Sequence, residues 1–152
     1  MNRNANHHIA QPIYDLIAIL EDAKNGYLHA AEKVKDEVLS LLFERFGYQR
    51  GRYSHQLRLI VTEMGATPAI DAFTLKLLHR TWKDLQTTFR FGQRKAVIDA
   101  CIKGEETVIN NYAKAIEQVK QNEAVSSVLQ QQVNGIRTVL NTIREYTAQD
   151  KN

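Results

Sequence analysis

What most limits the folds open to this chain is how rarely it is interrupted. There are two prolines, Pro12 and Pro68, and seven glycines in 152 residues. Between them the apolar positions recur every three or four residues, the period of a helix buried on one face. Most β-rich folds are thereby excluded. Ile13, Leu16, Ile17, Leu20, Tyr27 and Val34 predict a first helix from about Pro12 to about Lys35, with Pro12 in its first turn. Asp36 is placed to cap a second helix to about Met64, with Val38, Leu39, Leu42, Phe46, Tyr53 and Leu57 on its apolar side, before Gly65 and Pro68 stop it. Gly47 and Gly51 weaken this helix by about 1 kcal/mol each relative to Ala, and are read as permitting close packing of a neighbour. Asp71 begins a shorter helix through Phe73, Leu78, Trp82 and Leu85, ending near Gly92. Two more long helices follow, from about Arg94 to Lys120 and from about Ala124 to Thr147.

Four long helices and a shorter one between the second and third predict an all-α four-helix bundle with a crossover helix. The short first and last turns make each sequential pair antiparallel. A continuous coiled coil is the alternative, and Gly65, Pro68 and Gly92 break the sustained heptads it needs. The length suits one domain over residues 1–152, with its core at about 12–148 and flexible ends.

Composition narrows function. Net charge is +3 with a pI near 9.0, well short of a dedicated nucleic-acid binder. The excess is local: Lys76, Arg80, Lys83, Arg90, Arg94 and Lys95 face only Asp84 between residues 76 and 95. A solvated face is the simpler account of that segment, so nucleic acid is not expected as a partner. No apolar stretch resembles a signal peptide or approaches the roughly 20 residues that span a bilayer, so membrane association is not expected and a cytoplasmic location is. Cys101, the single cysteine, is flanked by apolar residues and reads as a buried inert thiol. There is no phosphate-binding glycine loop and no nucleophile elbow.

The sequence also resembles a known family. The segments Gly26 to Glu32 (GYLHAAE), Gln49 and Arg50, His79 to Trp82 (HRTW) and Cys101 to Tyr112 (CIKGEETVINNY) are similar to those of bacterial ferritin-like four-helix-bundle proteins classed as a domain of unknown function. The resemblance runs from about Leu16 to Gln118 and implies a ferritin-like fold with the crossover helix, without an activity. It also implies departures: Gln56 stands where many members have Glu, Ile102 where they have another Glu, and Leu140 where they have His.

At about 100° per residue, Glu105 falls at the centre of the apolar stripe of Ile98, Cys101, Ile109 and Tyr112, so it points into the core. Glu106 falls at the edge, where water reaches it. Tyr27 lies on the inner face of the first helix, Gln49, Tyr53 and Gln56 on that of the second, and Gln132 on that of the fourth. Counting from the helix starts puts Glu105 level with Phe46 to Gln49 and with Lys24 to Tyr27, and Tyr112 level with Tyr53 and Gln132. The core is expected to carry two buried polar layers made of Tyr27, Gln49, Tyr53, Gln56, Glu105, Tyr112 and Gln132. Glu105 is the one candidate metal ligand. A di-iron bundle site needs about four carboxylates and two His, the latter in E-x-x-H, and that motif is absent from the sequence. Glu105 is therefore read as a hydrogen-bonded acid with Tyr27, Gln49 or Lys24 as partner, and Trp82 as a packing residue of the crossover helix. No catalytic residue and no cofactor are expected. The function expected is non-enzymatic, through a homo-oligomer or an unidentified protein partner. The alternative is a divergent metal-binding or oxidoreductase protein using iron or manganese.

Overall fold

The computed structural model describes residues 3–65 and 94–149. These form four α-helices and no strand: α1 (Arg3–Lys33), α2 (Glu37–Glu63), α3 (Arg94–Val119) and α4 (Glu123–Gln149). The expected crossover helix, with Trp82 on it, lies outside the described residues.

The boundaries follow from local chemistry. Asp36, in extended conformation at φ −77° and ψ 115°, accepts the Val38 and Leu39 N–H groups at 3.0 and 3.1 Å. Those are donors that a helix start leaves without partners. Asn122 does the same for α4, accepting the Val125 N–H at 3.1 Å. After Met64 the chain turns through Gly65 at φ 73°, a left-handed conformation that glycine adopts without steric cost.

One boundary departs from expectation. α1 begins at Arg3, so Pro12 lies inside it and not in its first turn. A proline in a helix interior costs about 3 kcal/mol, because a hydrogen bond is lost and the ring crowds the preceding turn. Packing offsets that cost: Ala10 is fully buried and belongs to the apolar core on the N-terminal side of Pro12.

α1 packs most extensively on α2 and α3 on α4, while α1 also meets α3 and α2 touches α4 least. The α1–α2 approach is close because Gly47 faces α1. A Cβ there would stand 2.8 Å from Leu28 Cδ2 and 3.3 Å from the Lys24 carbonyl oxygen. At Gly135 in α4, an added Cβ would stand on the Tyr53 hydroxyl of α2.

The apolar core forms two clusters. One gathers Ile13, Leu20, Leu57, Tyr112, Leu129 and Ile136, and the other Tyr27, Phe43, Phe46, Ile98, Cys101 and Ile143. Along α2 and α3 the break between them falls at Arg50 and Glu105, the charged residues of the core.

Candidate functional site

The helix wheel explains why α2 carries a buried cation. With Arg50 as zero, Leu39, Phe43, Phe46, Ser54, Leu57 and Val61 all fall within about 40°, and all are buried. Arg50 is fully buried and Glu105 of α3 is 2% exposed. The guanidinium meets the carboxylate with two parallel donors, Nη1 to Oε1 at 2.8 Å and Nη2 to Oε2 at 2.5 Å. This is the fork geometry that makes arginine the preferred partner of a carboxylate away from water. A third donor comes from α1, the Tyr27 hydroxyl, at 2.6 Å from Glu105 Oε1. Arg50 Nε also donates to the neighbouring Gln49 Oε1 at 3.2 Å.

Tyr27 is held in turn by Phe43 and Phe46, each with its ring centroid 5.6 Å away. The guanidinium carbon of Arg50 lies 5.6 Å from the Tyr27 centroid. Burial first, and the Glu105 charge next, push the Tyr27 phenol well above its ordinary range, so it stays a donor. Burial alone would lower the Arg50 pKa, but the adjoining carboxylate outweighs it and raises it, so the cation persists. Burial, then the Glu105 charge, push the Cys101 thiol up as well, away from the reactive thiolate.

A second layer stands further along the bundle. Tyr112, fully buried, donates to Gln132 Oε1 at 2.7 Å, and Gln132 Nε2 donates to Gln56 Oε1 at 2.8 Å and the Tyr53 carbonyl at 3.3 Å. Beside these layers, Glu21 of α1 accepts from Ser54 at 2.8 Å and lies 3.1 Å from Arg58 and 3.3 Å from Lys24.

Four of the residues anticipated in polar layers are buried: Tyr27, Glu105, Tyr112 and Gln132. Gln49 and Tyr53 are half-buried, and Gln56 is exposed. The correction has a simple cause. The inner face of α2 is centred on Arg50, which puts Gln56 about 120° and Gln49 about 100° away from its centre. Val38, expected on the apolar side, is likewise exposed. Among the partners anticipated for Glu105, Tyr27 bonds to it, whereas Gln49 reaches Arg50 and Lys24 pairs with Glu21. Glu106 is exposed and lies 2.9 Å from Arg144. Arg50 itself was missed, although it stands seven residues from both Phe43 and Leu57 on the same stripe.

The donor set does not suit a transition metal. Both Glu105 oxygens are taken by Arg50 and Tyr27, and a fixed cation occupies the space that a metal would need. Among the described residues, no three His, Cys, Asp or Glu side chains cluster as ligands would.

The family model for a domain of unknown function, DUF2383, matches residues 8–118. The chain belongs to DUF2383. A solved structure of a Dps1 mutant from Mycobacterium smegmatis aligns with it at a TM-score of 0.82, covering 96% of this chain and 99% of that one, at 13% sequence identity. At that identity the likeness establishes the fold, a ferritin-like bundle, and nothing of activity. No curated protein matches the sequence. Across the DUF2383 match, the residues that meet at mid-bundle are Tyr27, Arg50 and Glu105, an internal ion pair with a phenol donor.

Proposed function

We propose that this DUF2383 protein is a non-enzymatic, cytoplasmic ferritin-like bundle that acts through assembly with copies of itself or with a protein partner, and that its core holds no transition metal. The observation that carries the reading is the commitment of Glu105. A carboxylate clasped by a buried guanidinium on both oxygens is neither an open ligand nor an available base. No helix among the described residues is long and apolar enough to cross a membrane.

Size-exclusion chromatography with light scattering over a wide concentration range tests assembly. An oligomer is expected, and a monomer at every concentration would overturn self-assembly. One feature favours a second reading, a divergent metal protein using iron or manganese: a carboxylate projects from α3 into the bundle core, where ferritin-like sites are built. Elemental analysis of protein purified without chelators, followed by iron and manganese titration, separates the two. Near-stoichiometric metal that is lost in Glu105→Gln would favour the second reading.

A further inference from the structure

The four large apolar side chains that the described residues leave exposed all belong to α2: Val38 (54%), Leu41 (68%), Tyr48 (63%) and Leu59 (52%). Leu41 and Leu59 lie about 180° from Arg50, and Tyr48, Arg45, Arg52 and His55 within about 40° of that direction. The stripe Leu41, Arg45, Tyr48, Arg52, His55, Leu59 advances by alternate steps of four and three residues, the spacing of a helix that packs on another helix. α2 thus has two seams: one closes the bundle and the other faces solvent.

We propose that this outer seam is a two-fold interface with a second copy of the chain, α2 running antiparallel to the partner's α2 and crossing it near residue 50. This rests on the self-assembly reading and names the face that it uses. The argument is self-complementarity, which a two-fold interface requires because each patch meets itself reversed. The antiparallel register sets Leu41 against the partner's Leu59, Tyr48 against the partner's Arg52 and Arg45 against the partner's His55, with Glu44 flanking that imidazole. Those pairings bury aliphatic surface, lay a guanidinium on an aromatic ring and bring an acid to an imidazole. Arg52 has no acidic partner of its own among the described residues. A parallel arrangement would stack Arg45 on its own copy and Arg52 likewise, and like charges so placed oppose association.

Two kinds of variant test it. Leu41→Asp with Leu59→Asp changes only exposed positions, so helical circular dichroism should be unchanged while the mass measured by light scattering falls below that of the wild-type assembly. Leu41→Cys combined with Leu59→Cys should give a covalent dimer on a non-reducing gel, and neither single variant should. The two positions lie about 27 Å apart along one helix, so a disulfide joining them must link two chains. A monomeric wild type, including one whose seam binds a different protein, overturns both this interface and the self-assembly reading. A wild-type oligomer whose size survives the double Asp variant overturns the interface alone. Single-cysteine variants that crosslink as well as the pair overturn the antiparallel register.

Discussion

An arginine without solvent contact is tolerated only while its charge is answered, and Glu105 answers that of Arg50 with both oxygens. Removing one member strands the other. Arg50→Met or Glu105→Leu alone should cost about 3–5 kcal/mol, whereas the two together should cost far less or stabilise the fold. A double-mutant cycle by urea unfolding measures this, and additive costs would show that the pair is not coupled. Glu105→Gln preserves shape but leaves the guanidinium uncompensated, so it should fall nearer the Leu variant than a simple loss of one neutral hydrogen bond. Asp22 on α1 shows a different residue-scale effect: burial raises its carboxyl from the ordinary 3.8 to about 6. Its folded-state pKa lies above the unfolded one, so the contribution to stability is present below about pH 4 and lost as pH rises through about 6. Asp22→Asn should therefore raise Tm at pH 7.5 and change it little at pH 3.5. Equal shifts at both pH values would contradict this.

At the scale of the element, the helices meet through glycines that are not equivalent. Gly47 and Gly135 each face a neighbouring helix, whereas nothing lies within 4 Å of a Cβ added at Gly104. Gly104→Ala should stabilise α3 by about 0.4–1 kcal/mol, since a helical position loses its excess unfolded-state freedom at no steric cost. Gly135→Ala should destabilise by about 1–3 kcal/mol through overpacking against the Tyr53 hydroxyl, and Tyr53→Phe in the same chain should recover part of the loss. Thermal unfolding of these variants distinguishes the cases, and a stabilising Gly135→Ala would show that α2 and α4 are free to part. The helix ends are better determined locally: Asp36 caps α2 and its carboxylate also lies 2.8 Å from the Tyr146 hydroxyl and 3.2 Å from Arg94 Nε. One acidic side chain thus ties the start of α2 to the start of α3 and the end of α4.

For the whole molecule, the polar layers connect helix pairs that sequence neighbours alone would leave apart. Tyr27 comes from α1, Arg50 from α2 and Glu105 from α3, while Gln132 brings α4 onto α2 and α3. Opening the bundle must break both layers and both apolar clusters. Cys101 reports such opening, because it is buried in one cluster beside Glu105 and its thiol is held protonated. Labelling by a thiol reagent should be slow in the native protein. It should accelerate with urea in step with unfolding, and more steeply in Arg50→Met. Rapid labelling in the wild type without denaturant would show that the region opens locally.

Much of the architecture was legible because helices obey local rules. The period of the apolar residues, the scarcity of proline and glycine, and Asp36 before α2 settle the number of the four described helices and, the start of α1 excepted, their approximate limits, and the direction of Glu105 follows from its place in the stripe of α3. Pro12 was misplaced because tertiary burial of Ala10 outweighed a local preference. The inward face of α2 is centred on Arg50, a charged residue among apolar ones, so Gln56 and Val38, expected to face inward, are exposed. Sequence by itself determined that a carboxylate must enter the core. Only the tertiary structure decided which residue answers it, because charge pairing depends on atoms brought within hydrogen-bond distance, 2.8 Å here, from positions 55 residues apart in the chain.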